Sequence, residues 1–165
     1  MSIIVNFRCI TPMQLKALQK SPETVIDFLE ADRDDPTFNE RKTDLDKAWH
    51  AIHFLLTGSA EGGEPPLSLA VAGGSPLGDI DFGYDKVRYL TEQEVREVYL
   101  ALSAISVEEI EARFSLKELS EANIYPNVWE DHEEEIDYVT YFYKKMVEFF
   151  RRAAEFGYSI LKYTI

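Results

Sequence analysis

Thr43-Asp44-Leu45-Asp46-Lys47-Ala48-Trp49-His50-Ala51-Ile52-His53-Phe54-Leu55-Leu56-Thr57-Gly58 is the stretch around which the rest of the chain is read. Leu45, Trp49, Ile52 and Leu56 recur at the three-and-four spacing that lines one face of an α-helix, and Ala48 and Leu55 widen that face. Thr43 or Asp44 is placed to cap its start and Gly58 to end it, which predicts a helix over Asp44–Leu56. Asp46, His50 and His53 stand at the edge of the apolar stripe, on one flank. Such a flank is either a chemical site or a hydrogen-bonded helix border, and the border is the ordinary situation of a partly buried histidine.

Around this helix, 165 residues suffice for one domain, 1–165, with its own core. Seventeen Lys and Arg against thirty Asp and Glu leave a formal charge of −13, which repels phosphate backbones and anionic headgroups. No nucleic acid and no membrane is therefore expected as a partner, whereas a basic protein or a small molecule remains open. A hydrophobic content of 45 % places the acidity on the surface of a folded chain, since disordered acidic chains are poor in apolar residues. Cys9 is the one cysteine, which excludes an internal disulfide and a multi-thiolate zinc site. With no leader pattern and no long apolar run, the expected location is the cytoplasm.

Upstream, Ile3 to Ile10 alternates as a strand. Thr11-Pro12 with Gln14 starts a short helix ending near Lys20, and Ser21-Pro22 starts a second with Val25, Ile26, Phe28 and Leu29 on its apolar face. Ala31–Lys42 reads as an exposed connection. Downstream, Ser59–Gly83 is rich in glycine around the island Leu67–Ala72 and reads as a long ordered loop with one or two helical turns. Lys86–Leu90 reads as a short strand or an extended lead-in to the next helix. Three capping boxes at Thr91, Ser106 and Ser115 then announce three helices, the last two over Val107–Phe114 and Leu116–Glu121. Ile124–Trp129 is extended or turned because of Pro126. The acidic run Glu130–Asp137 opens a long helix, through Ile136, Val139, Tyr143, Met146, Phe150 and Ala153, that stops at Gly157. Tyr158–Ile165 alternates as a last strand.

These elements predict an α+β fold, with helices packed on a small, mostly antiparallel sheet that includes the N- and C-terminal strands as neighbours. No nucleophile elbow, phosphate loop or calcium loop is present, Cys9 reads as buried, and no metal and no cofactor is expected. The leading functional reading is a non-enzymatic binding protein whose acidic surface meets a basic partner, as an immunity-type or accessory protein would. The alternative is a small-molecule binder or enzyme. Its polar pocket would lie where the glycine-rich loop covers Asp46 and His53, the catalytic candidates, with Lys47, Trp49, Tyr84 and Arg88 as ligand-binding candidates.

Several motifs carry a resemblance. They are Leu45-Asp46-Lys47-x-Trp49 with His53-Phe54-x-Leu56-Thr57-Gly58, Pro66-Leu67-Ser68-x-Ala70-Val71 with Gly73-Gly74, Arg88–Thr91, Ile124-Tyr125-Pro126 with Trp129, and Ala153-Ala154-Glu155-x-Gly157. Together they resemble the YfbM-like family of bacterial proteins over nearly the whole chain. The resemblance implies a single α+β domain of bacterial cytoplasmic origin and implies no activity. Asp46, Lys47, Trp49 and His53 match the family pattern, and His50 does not.

Overall fold

The structure is a computed structural model and describes residues 2–31, 37 and 40–165. Its five strands are β1 (Val5–Ile10), β2 (Lys42–Asp44), β3 (Ser75–Phe82), β4 (Asp85–Leu90) and β5 (Ser159–Thr164). They form one sheet in the order β2-β1-β5-β4-β3, and each adjacent pair is antiparallel. The terminal strands β1 and β5 pair directly, from Val5 against Thr164 to Ile10 against Ser159. They occupy the middle of the sheet.

Both faces of that middle are covered, which is why all six residues of β1 are buried. On one face α1 (Pro12–Lys20) and α2 (Val25–Ala31) supply Leu15, Leu18, Val25 and Leu29 to a core shared with Ile10, Leu77, Val87 and Leu161. The opposite face carries the larger core. There α3 (Trp49–Thr57), α4 (Glu92–Ser103) and α7 (His132–Glu155), with the shorter α5 (Val107–Arg113) and α6 (Leu116–Glu121), pack over Val5, Phe7, Cys9, Leu90 and Ile160. Phe7 lies 6.0 Å and 6.1 Å, ring to ring, from Phe149 and Phe150 of α7. Among the described residues no helix is long and apolar enough to cross a membrane.

The local signals act as physical chemistry demands. The Thr11 and Thr91 capping boxes are reciprocal, each threonine accepting from the third helical residue while that residue's side chain accepts from the threonine N–H. Ser106 and Ser115 cap α5 and α6 in one direction only. Asp131 caps α7 by accepting from Glu134 N, and Glu133, Glu134 and Glu135 sit at the positive end of its dipole.

Two expectations need correction. The helix expected over Asp44–Leu56 begins at Trp49, preceded by a single 3₁₀ turn at Asp46–Ala48, and Thr43 and Asp44 do not cap it because they lie in β2 against β1. Asp46 adopts a left-handed φ of 44°, with its N–H donated to Asp44 Oδ1, and this turn redirects the chain out of the sheet. The loop expected over Ser59–Gly83 contains a 3₁₀ turn at Leu67–Leu69, but its last third is β3. β3 is an edge strand with several exposed positions, so it lacks the apolar alternation by which strands are recognised. Most of the connection expected over Ala31–Lys42 lies outside the described residues, and Lys42 itself opens β2.

The β3–β4 hairpin turns on Gly83, at φ 68°, and a Cβ there would run into the Thr164 carbonyl oxygen at the end of β5. Gly83→Ala is therefore expected to lower the unfolding free energy by about 2 kcal/mol or more, with the midpoint of a urea titration as the readout. An unchanged midpoint would show that the turn has room the backbone denies it.

Candidate functional site

The site is built by register. Phe7 of β1, Lys162 of β5 and Arg88 of β4 are successive cross-strand partners, so they form one row on the face that carries the larger core. Helix α7 covers the Phe7 end of that row. The other two positions are covered by the segment between α3 and β3, through its backbone. Lys162 Nζ donates to Leu69 O at 2.6 Å and to Val71 O at 3.0 Å. Arg88 Nη1 donates to Gly74 O at 3.3 Å, and its Nε lies 3.5 Å from Asp85 Oδ2.

Beside this row is a cavity of about 270 Å³ whose wall includes Val5, Trp49, Val71, Arg88 and Lys162. Tyr84, 47 % exposed in the β3–β4 turn, and Lys86 stand at its mouth. Trp49 enters from the first turn of α3. Its indole N–H donates to Ile3 O at 2.8 Å, and its ring stacks on His50 and Tyr125 at 4.7 Å and 5.9 Å. The aromatic wall is thereby held in place before any ligand arrives.

Lys162 is 3 % exposed. Its burial, and then the like charge of Arg88, lower its pKa to about 7, with Glu94 opposing the shift. Near neutral pH this group passes between ammonium and amine. A strongly acidic chain thus carries two basic side chains in the wall of one cavity.

Three of the sequence candidates, Trp49, Tyr84 and Arg88, meet in this cavity. The others are elsewhere. His53 is 1 % exposed, and its Nε2 donates to Gly62 O at 2.9 Å. His50 Nε2 donates in the same manner to Ala60 O at 2.9 Å, and its Nδ1 accepts from Tyr125 N. Burial lowers both pKa values. The two imidazoles are neutral pins that fasten the 58–63 loop to α3. Asp46 does not share their flank, because the 3₁₀ turn carries it away, and it accepts from Tyr138 Oη at 2.9 Å. Lys47 lines a different concavity, with Trp129, Glu134 and Glu135. A pocket uniting Asp46 and His53 under the glycine-rich loop is therefore not formed. Asp79 and Asp81 of β3 pair with Lys86, and among the described residues no group of three His, Cys, Asp or Glu could hold a metal ion.

Lys162 is the residue that sequence reasoning missed. Its signal was a lone cation within an apolar strand, Ser159-Ile-Leu-Lys-Tyr-Thr164. That pattern is decisive only once the strand is known to be central and covered on both faces.

The shift of Lys162 has a definite sign for stability. In the unfolded chain the amine holds its proton to about pH 10.4, and in the folded chain it releases it near 7. Between those values the unfolded state binds more protons, so stability rises with pH, and below 7 the burial penalty is felt in full. The expected slope is up to about 1.4 kcal/mol per pH unit. Urea unfolding from pH 6 to 10 should show this rise in the native chain and lose it in Lys162→Met. Parallel curves for the two proteins would mean that Lys162 titrates normally.

With this geometry established, comparison with known proteins places the chain. A family model described as a domain of unknown function (DUF1877) matches residues 1–163. Protein YfbM of Escherichia coli strain K12 is 38 % identical over 92 residues, and this similarity spans 53 % of the chain and about half, 53 %, of that relative. The crystal structure of YfbM from Escherichia coli superposes with a TM-score of 0.76 at 26 % identity, covering 98 % of this chain and 99 % of that one. The helices on a five-stranded antiparallel sheet are shared with that structure, and the chain belongs to the DUF1877 domain family.

Proposed function

We propose that this chain is a binding protein for a small carboxylate, held by Arg88 in the cavity beside β4 and β5. The observation that carries this reading is the placement of Arg88 and Lys162 as register partners in one cavity wall of a chain whose formal charge is −13. Lys162 is buried and Arg88 partly so, and a low-dielectric recess strengthens their attraction for an anion. The guanidinium is held at Nη1 by Gly74 O, and its Nε lies 3.5 Å from Asp85 in an ion pair without a hydrogen bond. Its Nη2 has no acceptor among the described residues and remains for a ligand oxygen. Trp49 supplies an apolar wall and Tyr84 a hydroxyl at the mouth. The volume suits a metabolite of a few carbon atoms.

This reading predicts saturable stabilisation by one or more small mono- or dicarboxylates, of roughly 2.7 kcal/mol at a hundred times the dissociation constant. Melting temperature and Trp49 fluorescence would both report it, measured against sodium chloride at equal ionic strength. Arg88→Met should abolish the effect with little change in melting temperature without ligand. Equal responses in the variant, or none in either protein, would overturn the reading.

A second reading rests on the start of α7. There Glu135 is held above the usual carboxylate range by partial burial and by the neighbouring charges of Glu134, Asp131 and Glu130. Crowded carboxylates gain from a cationic partner, and a basic protein docked on them would relieve that repulsion. Capture on the immobilised chain should then weaken steeply with salt, and weaken at low salt in Glu134→Gln/Glu135→Gln. Salt-independent or empty capture would remove this reading.

A further inference from the structure

Lys162 is the most unusual group in the molecule, and anion binding alone does not use its chemistry. A lysine that only contributes charge would present its ammonium to the ligand. Here two N–H bonds are already committed, to Leu69 O at 2.6 Å and Val71 O at 3.0 Å. A neutral amine has two N–H bonds and one lone pair. With both donors engaged by the covering segment, the remaining tetrahedral position of Nζ is where the lone pair lies. Lys162 forms part of the cavity wall, and Arg88, its cross-strand partner, forms the adjoining part. Partners on one face of neighbouring strands project into the same volume, so a carboxylate on Arg88 brings the atom next to it toward Nζ.

We propose that the ligand is a small 2-oxo carboxylate, whose carboxylate pairs with Arg88 and whose keto carbon is captured by Lys162 as an imine. This rests on the carboxylate-binding reading above and names the substrate class of that same site. The Nζ lone pair forms a bond to the carbonyl carbon, and the π electrons move to the oxygen, which takes one proton from solvent. One N–H proton then passes to that oxygen, and the C–O bond breaks to release it as water. The resulting iminium keeps the other N–H, so one of the two backbone carbonyls retains its donor. No oxidant or reductant enters. The step needs the free amine, which desolvation and the neighbouring Arg88 make available near neutral pH. The charged and titratable groups facing Lys162 are Arg88 from β4, Glu94 from α4 and His53 from α3. Glu94 alone favours the ammonium, and the neutral His53 does not offset Arg88.

The test is reductive trapping on the native chain. Pyruvate or glyoxylate is added with borohydride near pH 7, followed by intact mass and peptide mapping, with lactate as the competitor that shares the carboxylate and lacks the ketone. A single adduct on the peptide containing Lys162 is expected. It should be suppressed by lactate, lost in Arg88→Met, and at least tenfold faster than trapping of propanal, which has a carbonyl and no carboxylate. Lysines distributed at random along the chain, or an adduct insensitive to lactate, would overturn the proposal. A melting shift with lactate and pyruvate without any Lys162 adduct would refute the imine and leave carboxylate binding standing, whereas failure of both would remove both. Because the assay maps the native protein, it does not depend on a Lys162 variant that folds.

Discussion

The two hydrogen bonds from Lys162 to the carbonyls of Leu69 and Val71 are the contact on which the organisation of this protein turns. An amine carried into the middle of a sheet covered on both faces must find acceptors, because an unpaired polar group there costs several kcal/mol. The acceptors it finds are the backbone oxygens of Leu69 and Val71, and these bonds hold the segment between α3 and β3 over β5. That one constraint closes the larger core at its open corner. It brings Gly74 O within reach of Arg88 and leaves a cavity between the segment, the sheet and Trp49.

The same device appears twice more on α3. His50 and His53 donate to Ala60 and Gly62, so the loop that follows the helix is tied back to it by side chains acting on backbone carbonyls. In each case burial opposes the charge of a titratable group and lowers its pKa. The chain thus separates its electrostatics. Carboxylates crowd the start of α7, whereas the basic groups whose pKa burial lowers, His50, His53 and Lys162, line the interior of the larger core side.

Much of the fold was legible because its signals are local. Capping boxes at Thr11 and Thr91, the glycine at 58 and the apolar stripe of α7 are decided by residues within a few positions of one another, and these elements stand where periodicity puts them. The pairing of the first and last strands followed from their shared apolar character. The start of α3 was misread because Thr43 and Asp44 satisfy a cap pattern but are claimed by β1, a partner far away in sequence. β3 was missed because an edge strand exposed at several positions shows no alternation. For the site, Trp49, Tyr84 and Arg88 were legible as candidate ligand contacts, yet what unites them is a cavity bounded by α3, a hairpin turn and β4.

Taken alone, then, the order of residues determines most of the helices and the terminal strands, a formal charge of −13, and that the chain belongs with the α+β proteins it resembles. Tertiary structure alone decided the chemistry. His53 and Asp46 share a helical period on paper, but Asp46 has a left-handed φ of 44° and opens a 3₁₀ turn that takes it off that flank. Lys162 and Arg88 lie far apart in the chain and are joined by strand register. A protonation state depends on the dielectric and the charges around a group, and these are set by which strands meet and what covers them.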